Sequence, residues 1–392
     1  MKTMICGFYG CGNLGDDAIL AAISQQEAQF DLGDLVVVSP QQREIDHSKA
    51  LKVINRKVLV GRRSILRRWW HFRGTQLFAL GGGSLIRDFG NSPSSLRTWL
   101  IPVMAAQRAG IPTMTFAIGA EAPRYNESAD TVRKVLDNCK VVTTRDPGSA
   151  TRLRDLGIQA PIYVTADPAI LLGEQASLEL RPSTANRPTV VVTLRHWFDK
   201  QMAIEDPETF DKALTGIATA LDHVISQFDA RVAFVPFRAV PGDDDREIHA
   251  LVIDRMKSSE QSVHALSEIP NIERLLKIYR EADVTLGMRL HALILSASVN
   301  TPIISIEYQA KILDFMDYVG QSSNCISISN PNMLEFLEAT ISRMIVSSGK
   351  EREGLAAHVK MMRSQAKKTF QIARQIAESP NRENYESVLS IN

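Results

Sequence analysis

Cysteine is scarce in this chain: four in 392 residues (Cys6, Cys11, Cys139 and Cys325), with no C-x-x-C pair and no Cys/His cluster at zinc spacing. A disulfide framework and a zinc-ribbon architecture are thereby excluded, and the four read as scattered thiols of a reducing compartment. Net charge is equally lacking. Forty-five Lys and Arg against 44 Asp and Glu leave +1, which excludes a bulk nucleic-acid binder. No apolar run is long enough to span a bilayer; the longest, LHALILSASV, falls far short. The start, MKTMICGFYGCGNLGDD, has one lysine and a short apolar run cut by glycines and aspartates, a poor secretory leader. A soluble, cytoplasmic protein is expected. At roughly 150 residues per domain the length implies two or three domains, and a hydrophobic content of 44% suffices for their cores.

What is present is a rhythm of short β-branched runs alternating with helical stretches, which argues for α/β architecture with largely parallel sheets. Strands are predicted at Met4–Tyr9, Leu35–Ser39, Gln76–Leu80, Thr113–Ile118, Val141–Thr144 and Ile162–Val164, with helices at Asp16–Gln29, Ser94–Ala109, Asn126–Asp137 and Gly148–Leu156. Near Leu172–Arg187 the rhythm lapses into polar, Pro-bearing sequence that reads as a linker. A second series follows: Thr189–Leu194, Arg231–Phe237, Asp283–Leu286, Pro302–Ile306 and Cys325–Ile328. The expected architecture is two doubly wound Rossmann-like domains facing a cleft, over residues 1–178 and 179–345. Residues 346–392 form a C-terminal segment whose long helix packs back across both. Ligands should then sit at the carboxyl ends of strands.

Gly10-Cys11-Gly12-Asn13-Leu14-Gly15 matches the dinucleotide fingerprint in text. The next strand ends at Ser39-Pro40 without an acidic residue for a ribose, and Asp16 and Asp17 occupy the helix start where a pyrophosphate needs positive dipole. Two readings remain: a tight glycine turn with aspartate capping, or Asn13, Asp16 and Asp17 accepting hydrogen bonds from sugar hydroxyls. The triple glycine Gly81–Gly83, with Ser84 after it, reads as a strand-end loop allowing close backbone approach. Asp88 just beyond either binds a hydroxyl or pairs with a neighbouring arginine. Arg145 closes a strand and either binds an anion bidentately or pairs with Asp146 or Asp167.

Gly287-Met288-Arg289-Leu290-His291 places an arginine and a histidine in the first turn of a helix. A cation there meets the positive end of the dipole and needs a compensating partner, which a bound anion would supply. Arg195, Tyr308 and Lys311 also follow strands. Arg63–Arg73 carries arginines and His71 on one predicted helix face and Trp69, Trp70 and Phe72 on the other. That segment is either a surface helix docked on the core or a peripheral contact with anionic lipid.

Taken in order, GFYGCGNLGDDAIL, LGGGSLIRD, VTTRD, ADPAI, VTLRHW, LGMRLHALI and PIISIEYQAK resemble the polysaccharide pyruvyl transferase family over roughly residues 4–320. Two positions depart: Asp17 stands where members often have Glu, and His196 where Pro is frequent. The resemblance implies a GT-B-like fold, phosphoenolpyruvate as donor and a sugar hydroxyl as acceptor, giving a pyruvate ketal on a cell-surface glycan precursor. It implies His291 as catalytic residue and Arg145 and Arg289 as donor-binding; Arg195 and Lys311 join the donor-binding candidates from their strand-end positions. Asn13, Asp16, Asp17, Gly82, Gly83, Ser84 and Asp88 are the acceptor-side candidates. No metal and no cofactor are expected. The acceptor can be lipid-linked, nucleotide-linked or polymeric. A GT-B glycosyltransferase using a nucleotide sugar and a non-catalytic subunit of a glycan-assembly complex are the alternative functions.

Overall fold

The structure is a computed structural model that describes residues 2–41, 52–60, 70–88, 92–174, 187–195, 206–258 and 261–379. The chain divides into two compact units: Met1–Leu171 together with Met361–Asn392, and Leu172–Lys360.

The first unit is built on a seven-stranded sheet in the order β3-β2-β1-β4-β5-β6-β7. Its strands are β1 (Lys2–Cys6), β2 (Asp34–Ser39), β3 (Lys52–Asn55), β4 (Leu77–Ile86), β5 (Thr113–Ala120), β6 (Val141–Thr144) and β7 (Ile162–Val164). All neighbours are parallel. A parallel sheet is covered on both faces, so its central strands are apolar throughout rather than alternating. β5 is buried at every position and β2 at all but its first. Met4, Val36, Phe78 and Leu80 share a core with Leu96, Trp99, Leu100 and Val103 of the helix Ser94–Arg108.

The second unit repeats the plan with six parallel strands in the order β12-β9-β8-β13-β14-β15. These are β8 (Thr189–Thr193), β9 (Arg231–Phe234), β12 (Val263–Ala265), β13 (Val284–Gly287), β14 (Ile303–Glu307) and β15 (Cys325–Ser327). Between β9 and β12 the chain makes a small antiparallel hairpin, β10 (Ala239–Val240) with β11 (Asp243–Asp244). The helix Pro207–Phe228 lays Leu214, Ile217, Leu221 and Val224 onto Val190, Val192 and Phe234. In each sheet the winding direction reverses at the first strand, between β1 and β4 and between β8 and β13. Such switch points are where doubly wound sheets bind ligands.

The last helix, Ser348–Glu378, is continuous over 31 residues. Its residues to Lys360 belong to the second unit, and from Met361 to the first, where Phe370 stacks on Phe30 at 5.1 Å and meets Phe116 edge-on at 5.0 Å. Among the described residues no helix is long and apolar enough to cross a membrane.

The structure corrects three local expectations. Gly81–Gly83 do not end a strand: β4 runs through them to Ile86, with a shift of register against β5 between Gly83 and Ile86. Gly83 has φ +87, and a Cβ there would lie 2.7 Å from Asp16 Oδ1, so both conformation and space demand glycine. The cap of the helix Leu14–Phe30 is Asn13, not an aspartate: its Oδ1 accepts from Gly15 N at 3.3 Å. Of the Arg63–Arg73 segment, residues 61–69 lie outside the described residues. In the remainder Trp70 is 62% exposed while Phe72 is buried in the core, so the two rings do not share one face.

Candidate active site

In the N-terminal unit, the chain leaves β1 through Gly7–Gly12 and enters the helix Leu14–Phe30. The loop is tied by its own polar groups. Asp17 Oδ1 accepts from Gly10 N at 2.7 Å, and Asn13 Nδ2 donates to Asp16 Oδ2. Tyr9 is fully buried beneath this loop, against the backbone of Gly7 and Gly81, and its hydroxyl has no hydrogen-bond partner among the described residues. Burial, reinforced by the charges of Asp16 and Asp167, pushes that phenol well above its ordinary pKa.

Arg145 follows β6, as the sequence indicated, but it is 4% exposed and already met by charge. Its Nε lies 3.3 Å from Asp146 Oδ2, Nη1 lies 3.6 Å from Asp167 Oδ2, and Nη2 donates to Ser84 Oγ at 2.9 Å. Asp146 also caps the helix Pro147–Asp155 through Ser149 N at 2.6 Å. Close packing of the guanidinium on β5 requires Gly119, where a Cβ would stand 2.7 Å from Nη2. The backbone bends to allow it: Ala117 takes φ +49 at a register shift, and Thr143 Oγ1 accepts from its amide at 2.8 Å. Asp88 is committed elsewhere. Its Oδ2 accepts from Arg124 N at 2.8 Å and its Oδ1 from Ser128 Oγ at 2.6 Å, so it fastens the start of the helix Asn126–Leu136 instead of presenting a free carboxylate to a hydroxyl. Asp16, Asp17, Asp146 and Asp167 against Arg145 make this strand-end cluster acidic.

In the C-terminal unit the balance reverses. Arg195 follows β8, Arg238 follows β9, Arg289 and His291 follow β13, and Tyr308 and Lys311 follow β14. His291 lies in the first turn of the helix Leu290–Ser298, as expected, while Arg289 is the extended residue just before it. The compensating partners that a cation at this position requires are carboxylates of the chain itself. Arg289 Nε lies 3.1 Å from both oxygens of Asp245, and Nη2 bonds Asp245 Oδ1 and lies 3.1 Å from Asp243 Oδ1. Burial works against the Arg289 charge, but the two aspartates outweigh it and hold its pKa above the ordinary value. Asp245 is fully buried and also accepts from the amides of Phe237 at 2.9 Å and Arg238 at 3.1 Å.

Asp243, on β11, is the meeting point. Arg238 Nε approaches its Oδ2 to 3.1 Å, and Arg195 Nη2 approaches its Oδ1 to 3.9 Å, beside the Arg289 contact. Arg195 Nη1 donates to Tyr308 Oη at 2.8 Å and its guanidinium lies 5.3 Å from the Tyr308 ring centre, with Lys311 Nζ 5.9 Å from the same ring. Burial raises the Tyr308 pKa, yet Lys311, Arg195 and Arg289 overcome it, leaving the phenol below its ordinary value. Next to Arg289, His249 accepts from Leu194 N at 3.1 Å through Nε2. Burial, then the Arg289 charge, push its pKa down to about 3, so it is a neutral prop for the end of β8. Three arginines, Arg195, Arg238 and Arg289, thus converge on Asp243, with Lys311 beside the Tyr308 ring that Arg195 also meets.

Arg238 was open to the strand-end argument that found the others. Asp243, Asp245 and His249 were not, because their roles depend on pairing with Arg289 and Leu194 across more than 40 residues.

A family model described as Polysaccharide pyruvyl transferase matches residues 13–310. Among solved structures, the chain is similar to the S. aureus MnaA–UDP co-structure, at 11% identity and TM-score 0.64 with 97% of each chain covered. It is also similar to UDP-GlcNAc 2-epimerase from Methanocaldococcus jannaschii, at 13% identity and TM-score 0.61 with 92% of this chain and 99% of that one covered. Sucrose-phosphate synthase from Thermosynechococcus elongatus aligns at 14% identity and TM-score 0.60, over 97% of this chain and 100% of that one. At such identities the likeness establishes the fold, GT-B, and nothing about chemistry.

Proposed function

The chain belongs to the polysaccharide pyruvyl transferase family, and from that premise we propose that it moves the pyruvyl group of phosphoenolpyruvate onto two hydroxyls of a sugar. The product is a pyruvate ketal on a polysaccharide or its precursor, with release of phosphate. One observation carries the reading: the convergence of Arg195, Arg238 and Arg289 on Asp243, with Lys311 beside them. Phosphoenolpyruvate carries a carboxylate and a phosphate, and holding both takes several cations.

The C-terminal unit is the donor side in this account. Arg289, Arg195 and Lys311 bind the two anionic groups, joined by Arg238. The N-terminal unit, whose strand ends are rich in carboxylates, is the acceptor side, where Asn13, Asp16 and Asp17 and the backbone of Gly82–Ser84 meet hydroxyls. The resemblance implies a donor-binding role for Arg145. Its pairing with two buried aspartates favours another part for it: it positions Ser84 and the glycine segment of β4.

The reaction needs a proton at C3 of the enol and attack of the first hydroxyl oxygen at C2. The C2–O bond to phosphate then breaks, and the second hydroxyl oxygen takes its place as it loses its proton. One hydroxyl proton ends on the new methyl group and the other leaves with phosphate or solvent. His291 delivers and collects these protons as general acid and base, and the arginines stabilise the departing phosphate. The test is phosphate release from phosphoenolpyruvate in the presence of lipid-linked, nucleotide-linked and polymeric sugar acceptors. Release that depends on one of them, and is lost in His291→Ala, is expected.

A second reading, glycosyl transfer from a nucleotide sugar, is favoured by the fold alone, since the similar solved structures include a UDP co-structure. Thermal stabilisation of the protein by UDP-sugars, with none by phosphoenolpyruvate, would favour it.

A further inference from the structure

Arg56 is a strand-end cation with no carboxylate partner among the described residues. Arg56 follows β3, and its amide donates to Ser39 O at 2.8 Å, which fixes it beside the carboxyl end of β2. Its guanidinium lies 4.3 Å from the ring centre of Trp99, close enough to stack. Phe8, in the loop that leaves β1, holds Trp99 edge-on at 5.9 Å. Arg56 therefore sits in the same strand-end region as the glycine loop and its aspartates, two strands away from β1.

No carboxylate among the described residues pairs with Arg56, and its Nη1 is buried with no hydrogen-bond partner. Arg145, Arg195, Arg238 and Arg289 each have at least one aspartate within 4 Å. Burial pulls the Arg56 pKa down, and the groups opposing it are the thiols of Cys6 and Cys11. Burial pushes the Cys6 thiol up to about 12, so that thiol carries no charge near neutrality. A guanidinium that is partly desolvated over an indole, with no carboxylate partner among the described residues, is costly unless an anion completes it.

We propose that Arg56, stacked on Trp99 beside the loop that leaves β1, binds a phosphate group of the acceptor, so that the acceptor sugar is a phosphate ester or diphosphate rather than a neutral glycan. The ligand chemistry is a planar cation facing phosphate oxygens, with Trp99 fixing the plane of the fork. The proposal rests on the N-terminal unit being the acceptor side.

Calorimetric titration of the full chain with inorganic pyrophosphate tests the site without turnover. Arg56→Gln should weaken one of two binding events by about tenfold or more, as expected for hydrogen bonds to a charged group, while Arg56→Lys retains part of it. Arg289→Gln should weaken the other event and leave the Arg56 event intact. Uridine diphosphate and farnesyl diphosphate then separate the sources: the one whose binding depends on Arg56 identifies a nucleotide-borne or a lipid-borne acceptor. Pyrophosphate, uridine diphosphate and farnesyl diphosphate binding equally well to wild type and to folded Arg56→Gln would overturn the proposal. Failure of the donor reading looks different. It removes the dependence of phosphoenolpyruvate binding on Arg289 and leaves the Arg56 titration unaffected.

Discussion

Replacing Asp243 by asparagine should tighten donor binding. The carboxylate lies 3.1 Å from Arg289 and from Arg238 and 3.9 Å from Arg195, so it occupies the position a donor anion must take over. Its side chain is 28% exposed, so water screens these pairs in part. A unit-charge pair at about 4 Å is worth about 4 kcal/mol at an effective dielectric of about 20 and about 1 kcal/mol in bulk water. Solvent access and side-chain entropy bring the contribution of a half-buried pair toward the lower figure. Removing the competing charge while keeping the shape should therefore favour an incoming anion by roughly 1 to 2 kcal/mol, about tenfold in Kd. The cations would not scatter, because Asp245 still holds Arg289 and Tyr308 still holds Arg195. Calorimetry with phosphoenolpyruvate at fixed salt, on wild type and Asp243→Asn, reads the effect directly. Unchanged or weaker binding in a folded variant would refute the view of Asp243 as a resident counter-ion and make it an organiser of the cations.

Further outcomes follow from the same geometry. His291→Ala should reduce acceptor-dependent phosphate release by about 10²–10⁴-fold while phosphoenolpyruvate still binds, a split between turnover and calorimetric affinity. Arg289→Met should cost about 3–5 kcal/mol in denaturant unfolding, because it strands the buried Asp245 carboxylate. His249 titrates at about 3 in the fold and near 6.5 when unfolded, so its contribution to stability is complete above pH 6.5 and is lost as pH falls toward 3. Urea midpoints of wild type should drop over that window more steeply than those of His249→Gln; parallel curves would contradict it. Gly119→Ala should destabilise by about 1–3 kcal/mol, since its Cβ would press on the Arg145 guanidinium, and thermal denaturation measures it.

The strands were legible where burial on both faces makes a parallel strand apolar throughout, as in β2, β5 and β13. The edge strands β7 and β15 were still legible, whereas the edge strands β3 and β12 and the small hairpin were not. β3 (KVIN) and β12 (VHA) are half-exposed and short, and the hairpin strands β10 and β11 have two residues each. Strand ends located Arg195, Arg289, His291, Tyr308 and Lys311 because a doubly wound sheet puts its chemistry there. What those ends meet was hidden. The sequence offers Asp146 and Asp167 as options for Arg145 but cannot tell that both are taken, and nothing near Arg289 in sequence announces Asp245. Gly83 illustrates the same limit: three glycines suggest close approach, yet only the fold shows φ +87 and Asp16 as the neighbour. Arg56 escaped notice because the strand before it did.

The central claim is that the basic cluster of the C-terminal unit holds phosphoenolpyruvate. Calorimetric binding of phosphoenolpyruvate to wild type and to Arg289→Gln, each repeated in the presence of UDP-N-acetylglucosamine, tests it most directly. One binding event per chain is expected, weakened at least tenfold by the substitution and indifferent to the nucleotide sugar. Tight binding of UDP-N-acetylglucosamine, with phosphoenolpyruvate binding that is absent or insensitive to Arg289, would contradict it.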